Sequence, residues 1–332
     1  LPDIQLSNST IRTYKRCRRH WYLAYFLKWG TAPHLINPST TAALGTRVHT
    51  AMEAYYGYDL DPVEALDVVY QVDTFDHPLH EEVLLKEKSY AVAMVKGYLD
   101  WAAEEGIDVD LRVVATERVV SVQLPTAHGM VTLVAKLDQL VQRESDGAVL
   151  FRDWKTVGTL AKSNHLILDE QFRFYHLLLT LMNPHARVDG GLYMMLLRSK
   201  RTARAIPPFY RQDDISYNDH DVESMRLRTV EVAEDIQRTQ ARLEAGEDPR
   251  RVAYPSPGDH CRWACPFTNV CPMMDDGSRW QDALMGNFVQ QDPYHYYGSQ
   301  MIDTVRSVLG KMDTREESGE PVRPQHDSVR PF

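Results

Sequence analysis

Asp153-Trp154-Lys155 sets an acid and an amine two residues apart. If 148–155 is a strand, both side chains point to the same face. The carboxylate can then hold a divalent cation, and the ammonium can steady a phosphate oxygen or an attacking hydroxide. Asp-x-Lys alone is common and also fits two charges at a strand end. Its neighbours give it weight. Ala135-Lys136-Leu137-Asp138-Gln139 lies on the preceding predicted strand, where a short turn lets Asp138 sit beside Asp153. Two acids so placed repel unless a cation lies between them. Upstream, His49 and Glu53 stand four apart on one helical face. His49 is a third candidate ligand, or an ordinary hydrogen-bonded histidine. Downstream, Gln171 and Tyr175 also stand four apart, a spacing that plain amphipathic placement gives as well.

A second group of residues carries different chemistry. Cys261, Cys265 and Cys271 form a C-x3-C-x5-C run, and Cys17 is the only other cysteine. Four reduced cysteines point to a metal site rather than disulfides. Soft thiolates select zinc or an iron–sulfur cluster, and the spacing does not separate the two. A four-thiolate centre would tie the first helix to the segment 254–275. Around Cys17 stand Arg16, Arg18, Arg19, Trp21 and Tyr22. Cations that track phosphates beside rings that stack on bases suit a single nucleic-acid strand. Alternatively the rings are core and only the arginines meet solvent. A second basic stretch holds Arg198, Lys200 and Arg201. The formal net charge is −9, but residues 1–50 carry seven Lys/Arg against one acid, so a nucleic-acid partner is not excluded.

The chain that must position these groups has 332 residues, 43% apolar and 25% charged, which is globular usage and fits one large or two modest domains. No apolar run is long enough for a membrane span. Leu1–Thr10 does not read as a signal peptide, and the missing initiator Met points to trimming, which leaves room for a removed leader. Helices are predicted over 9–27, 42–58, 79–105 and 168–182, with a long polar surface helix over 218–246. Strands are predicted over 111–123, 129–142, 148–155 and 189–197. The order implies an α/β core with a mixed sheet. Residues 1–275 are expected to form the main domain, 254–275 a loop, and 276–332 an extension with a flexible or partner-bound tail from about 313.

In this order, Gly45…His49, Asp138, Asp153-Trp154-Lys155 and Gln171-Phe172-Arg173-Phe174-Tyr175 resemble the PD-(D/E)XK nuclease superfamily, specifically its RecB-like branch. The resemblance implies a restriction-endonuclease-like sheet flanked by helices. It implies that His49, Asp138, Asp153 and the Trp154 carbonyl ligate Mg²⁺ or Mn²⁺. Asp138, Asp153, Lys155 and Gln171 would be the catalytic set, with Lys155 orienting the attacking water and Gln171 positioning Lys155 or the strand. Tyr175 would contact nucleic acid, and Glu53 and Glu117 would support the site from behind. Many similar exonucleases have Glu where this chain has Asp153. In AddB-like and CRISPR-associated RecB-like exonucleases one cysteine precedes the core and three follow it, holding a [4Fe–4S] cluster. Cys17, Cys261, Cys265 and Cys271 match that arrangement, with zinc as the alternative.

The expected function is a metal-dependent DNA nuclease. A passage closed by the cysteine staple would favour single-stranded DNA with a free end, and family resemblance favours the 5′ end. No G-x-x-x-x-G-K-[ST] loop is present, so a helicase, recombinase or CRISPR-adaptation protein would be a separate partner. Phage replication or recombination, DNA repair and CRISPR adaptation all fit, in the cytoplasm of a bacterium or of a phage-infected host. The rival reading is a non-catalytic Fe–S or zinc DNA-binding subunit, against which the full set of acids and lysine argues. A zinc hydrolase for small substrates lacks an HExxH-type motif.

Overall fold

A computed structural model describes residues 4–160, 166–199, 201, 204–297 and 301–313. The chain opens with β1 (Ile4–Leu6), α1 (Asn8–Arg16), α2 (Arg18–Trp21) and β2 (Trp29–Thr31). Three helices follow: α3 (Thr41–Tyr58), α4 (Pro62–Asp76) and α5 (Glu81–Glu105). Then come β3 (Leu111–Thr126), β4 (Gly129–Arg143), β5 (Val149–Val157), α6 (Glu170–Met182), β6 (Val188–Leu197) and β7 (Tyr210–Ser216). Last are α7 (Asp219–Glu244), α8 (Pro249–Val252), α9 (His260–Trp263), α10 (Trp280–Asn287), β8 (Phe288–Gln290) and α11 (Met301–Asp313).

The expected helix over 9–27 is interrupted. Cys17 is extended, with φ −161° and ψ 111°, between α1 and α2, and Tyr22–Phe26 forms a single π turn. Leaving the helix at Cys17 turns its sulfur toward the C-terminal cysteine segment, where the Ser256 N–H meets it at 3.5 Å. Several elements go beyond the sequence-based expectations, among them α4, β7, α11 and the short α9 inside the segment 254–275 expected to be loop. Helix α4 begins at an Asp61 cap whose carboxylate accepts from the Val63 and Glu64 N–H groups, with Pro62 in its first turn. Strand β7 pairs antiparallel with β6.

The chain divides into two compact units. One contains Leu1–Ile36, Val119–Ala135 and Asn218–Gly298, the other Asn37–Arg118, Lys136–Tyr217 and the segment carrying α11. This partition differs from a single break near 275. Three separate stretches build each unit.

In the second unit β5 pairs antiparallel with β4 and parallel with β6, giving a mixed sheet. Val149–Trp154 is buried at every position, as a central strand covered on both faces should be. Helices α3, α4 and α5 bury Val48, Met52, Leu66, Tyr70, Met94 and Tyr98 against Val141, Trp154, Leu192 and Met194 of the sheet. Each such side chain contributes roughly 1.5–3 kcal/mol of transfer free energy. Close approach at two glycines fixes the helices that carry the site. A Cβ on Gly57 of α3 would meet Thr116 Oγ1 of β3 at 2.3 Å, and one on Gly191 of β6 would meet Phe172 of α6 at 2.7 Å. Helix α11 packs Ile302, Val305 and Leu309 on Ala54 of α3 and on Ala65, Val68 and Val69 of α4. Helix α11 is thereby packed into the second unit. The tail expected beyond it lies outside the described residues.

In the first unit β1 lies parallel to Val131–Leu133 of β4. Tyr14 of α1 places its hydroxyl 2.7 Å from Thr239 Oγ1 of α7. The long helix α7 is polar on one side only, since it buries Met225, Ala233, Ile236 and Leu243. No helix of the described residues is long and apolar enough to cross a membrane.

Candidate active site and cysteine centre

The β4–β5 ladder runs from Gln142–Val149 to Gln139–Arg152. One step further the strands stop exchanging backbone bonds in the ordinary way: the Trp154 N–H donates to the side chain of Asp138, at 3.0 Å from Oδ2. This opening brings Asp138 beside Asp153, as the hairpin argument required. Asp153 is fully buried, and its Oδ2 lies 2.7 Å from Lys155 Nζ. Strand alternation puts Asp153 and Lys155 on one face. From α3, His49 Nε2 donates to the Trp154 carbonyl at 2.8 Å. Its Nδ1 lies 3.4 Å from Asp138 Oδ1 and 3.6 Å from Glu117 Oε1. From α6, Gln171 Nε2 lies 2.6 Å from the Tyr175 hydroxyl and 3.5 Å from Asp153 Oδ1.

Glu117 is closer to the centre than a supporting role implied. Donor atoms of His49, Glu117 and Asp138 all lie within 4.8 Å of one another. Glu117 has φ +46°, a left-handed backbone costing an ordinary residue on the order of 1–3 kcal/mol. Its Oε2 meets Lys136 Nζ at 2.7 Å, while the buried Oε1 has no hydrogen-bond partner. Glu53, one turn beyond His49, is buried.

The charges explain one another. Burial opposes the charged form of His49, yet the carboxylates of Asp138 and Glu117 outweigh it and hold the imidazolium well above the usual histidine range. Burial also disfavours the Asp138 carboxylate, but His49 reverses that and keeps it ionised. Asp153 is pushed up to about 6, first by burial and then by Asp138, against the pull of Lys155. Burial works against the Lys155 ammonium, and Asp153 and Asp138 more than restore it, so its pKa stands above the usual lysine range. A nitrogen, two carboxylates and a backbone carbonyl facing an imidazolium suit a hard divalent cation in its place.

The cysteines meet elsewhere, within the first unit. Cys17, Cys261, Cys265 and Cys271 line one cavity of about 210 Å³, with His20, His260 and Phe267. Arg19, 1% exposed, donates to Asp275 at 2.6 and 2.9 Å and to the Cys271 carbonyl at 3.2 Å, and its Nη1 stands 3.9 Å from Cys271 Sγ. Burial raises the Cys265 and Cys271 thiols, and Arg19 pulls Cys271 back. Burial, then the charges of Arg16 and His260, lower His20 to about 4, so it is neutral.

The family model for the PD-(D/E)XK nuclease superfamily matches residues 5–272, a span holding both centres. The chain belongs to the PD-(D/E)XK nuclease superfamily. Its members are metal-dependent nucleases, and the donor set of His49, Glu117 and Asp138 fits the divalent cation that this chemistry requires. No curated protein matches the chain. Among solved structures, one titled "Crystal structure of SSO0001" is 12% identical, covering 70% of this chain and 85% of that one, at a TM-score of 0.28.

In this PD-(D/E)XK chain His49, Asp138, Asp153, Trp154, Lys155 and Gln171 come together. Several expected nucleic-acid contacts do not present themselves to solvent. Arg19 is corrected outright: its guanidinium is spent on Asp275 and the Cys271 carbonyl. Tyr175 is corrected too, being 7% exposed, with its hydroxyl on Gln171 and the Lys136 carbonyl. Trp21 and Tyr22 are core. Arg18 is half-buried, paired with Asp235 at 2.9 Å. Arg16 is exposed, beside exposed Arg12 and Lys15. Arg201 folds over the Phe209 ring and reaches the Tyr210 hydroxyl. Arg198 is half-buried, and Lys200 lies outside the described residues. Lys136 was overlooked, although Lys136-x-Asp138 mirrors Asp153-x-Lys155.

Proposed function

We propose that the chain is a divalent-metal-dependent deoxyribonuclease that degrades single-stranded DNA from a free end. The observation that carries the catalytic reading is the convergence of His49, Glu117 and Asp138 beside the Asp153–Lys155 pair. His49, Asp138, Asp153 and the Trp154 carbonyl, joined by Glu117, would hold Mg²⁺ or Mn²⁺. The bound ion supplies Lewis-acid activation of water and relief of the leaving alkoxide. Lys155 remains an ammonium, so it donates a hydrogen bond to the attacking oxygen or the phosphate instead of removing a proton. Asp153 fixes that ammonium, and Gln171 braces Asp153 while tied to Tyr175. Arg12, Lys15 and Arg16 supply exposed positive charge for a phosphate backbone.

Cys17, Cys261, Cys265 and Cys271 are proposed to hold a [4Fe–4S] cluster. Tetrahedral zinc would draw four sulfurs to about 3.8 Å apart. The four cysteines line one cavity, which suits a four-thiolate centre of either kind, and zinc stays the alternative. The pathway proposed is phage replication or recombination, DNA repair or CRISPR adaptation, in the cytoplasm, with a separate helicase, recombinase or adaptation protein as partner.

The test compares linear and circular single strands of equal length with Mg²⁺ or Mn²⁺, each linear strand labelled at the 5′ or the 3′ end in turn. Linear strands should be lost progressively, the 5′ label first, and circles should survive. Equal cleavage of circles would replace the exonuclease by an endonuclease. No cleavage of any substrate would favour a non-catalytic DNA-binding subunit.

A further inference from the structure

The reading of a divalent-metal site leaves Lys136 without a role, although it is the second lysine of that site. It stands two residues before Asp138 on β4, so the two side chains share a face. Its Nζ lies 2.7 Å from Glu117 Oε2, and both side chains are largely buried, at 17% and 9% exposure. The other oxygen of the same carboxylate, Oε1, is buried with no hydrogen-bond partner and lies 3.6 Å from His49 Nδ1. A buried carboxylate oxygen whose nearest donor, His49 Nδ1, stands at 3.6 Å is poorly satisfied, and a lost hydrogen bond there costs on the order of 1–3 kcal/mol. The backbone beneath it is also in the left-handed region, at φ +46°. Strained backbone of this kind persists where surrounding structure enforces it, and it clusters at functional sites. The Lys136 backbone is held as well, since its carbonyl accepts from the Tyr175 hydroxyl at 3.3 Å.

We propose that Lys136 is a positioning residue of the metal site, occupying one oxygen of Glu117 so that the other faces the cation. The proposal rests on the metal-site reading above. Lys136 reaches the ion only through Glu117. Two effects of opposite sign meet at this lysine. Its positive charge repels a nearby cation, and removing it would by that effect alone tighten metal binding. Its contact with Oε2 fixes the rotamer of a largely buried carboxylate. Without the ammonium, Glu117 would lose the partner that holds Oε2 and leaves Oε1 turned toward His49. The second effect dominates in this geometry, because the contact is short and direct. Outer partners that orient a ligand in this way are worth about 10–100-fold in metal affinity.

Binding of Mn²⁺ to chelator-treated, DNA-free protein tests this without any reaction, by calorimetry and by the electron paramagnetic resonance of the bound ion. Lys136→Met should weaken Mn²⁺ binding about tenfold or more. Lys136→Arg, which keeps both charge and donor, should stay near the wild type. Combining Lys136→Met with Glu117→Gln should bind no more weakly than Glu117→Gln alone, since the lysine acts through that carboxylate. If Lys136→Met does not fold, Lys136→Gln takes its place in the same cycle, with thermal melting to confirm folding. A loss smaller than threefold, tighter binding, or losses that add in the double variant would each overturn the proposal. Absence of Mn²⁺ binding by the wild type would overturn the metal-site reading itself, which is a distinguishable result.

Discussion

The two centres of this chain gather charge in opposite ways. The carboxylate centre in the second unit collects Glu117, Asp138 and Asp153 and answers them with three cations, His49, Lys136 and Lys155. The cysteine centre in the first unit collects four thiols and sets a single cation, Arg19, against one of them. The first centre is balanced by protons and ammonium groups drawn from the protein. The second has one arginine, itself already paired with Asp275.

The difference teaches what each centre requires of a metal. At the carboxylate centre the His49 imidazolium bridges the Trp154 carbonyl and two carboxylates, so a proton already serves where a cation would. At the cysteine centre burial raises the Cys265 and Cys271 thiols and so disfavours their thiolates when no metal is bound. Thiolates are the binding form, and a metal is what makes them. On the reading proposed above, the cysteine centre would be structural, joining α1 and α2 to the segment 254–275, and the carboxylate centre chemical.

Crossing the two centres gives the largest expected effects. Lys155→Ala should lower cleavage by on the order of 10²–10⁴-fold, as loss of a single electrostatic or proton-donating group does. Its iron content and melting temperature should match the wild type. Cys17→Ala should do the reverse. Anaerobically purified wild type should be brown with about four irons per chain, and the variant should lose that colour. It should also lose stability on the order of 4–5 kcal/mol, the crosslink estimate for so long a loop. Colourless wild type carrying one zinc would remove the cluster but not the nuclease. Wild-type cleavage by Lys155→Ala would remove the proposed active site.

The contrast was unequally legible in the sequence. Asp138, Asp153 and Lys155 could be placed because strand alternation fixes the face and a short hairpin fixes the partner. His49 and Gln171 were legible only through the family resemblance, since helical spacing of four fits ordinary placement as well. Glu117 was visible only as an acid in a β-branched run, because its left-handed backbone is a tertiary effect that no local propensity encodes. Cys17 was read as mid-helix, since the surrounding residues are good helix formers and only the cavity it faces explains the break. Arg19 was assigned to solvent with its neighbours. Charge patterning cannot tell which of several adjacent arginines a distant acid, Asp275, will draw inward. Helix α4 carries its start signal in the sequence, Asp61 capping before Pro62.

Arg19 gives the next effect in size. Arg19→Leu removes the bonds to Asp275 and the Cys271 carbonyl together. Breaking a buried pair is severe when it strands a buried charge. Here Asp275 is half exposed and can return to water, so the loss should be smaller, about 1–3 kcal/mol. The clearer readout is the visible absorbance of the cluster in air, which should fade several-fold faster than in the wild type. Equal fading would mean that Arg19 supports the fold but not the metal centre.

Glu53 tests the balance at the carboxylate centre. Its carboxyl is pushed up to about 7, first by burial and then by the charge of Glu117, while Lys136 works against them. The folded chain therefore holds this proton more tightly than the unfolded chain, where the group titrates near 4.3. The sign follows from linkage: the stability contribution is complete below the unfolded value and is lost as pH rises through about 7. Gln resembles the protonated acid at every pH. In metal-free protein Glu53→Gln should thus melt near the wild type at acid pH and above it at pH 8, by up to about 3 kcal/mol. A difference that stays constant across that range would mean that Glu53 is already neutralised at this centre. Thermal melts in chelator at two pH values decide this, and the cysteine centre should leave the difference unchanged, because Glu53 faces no thiol.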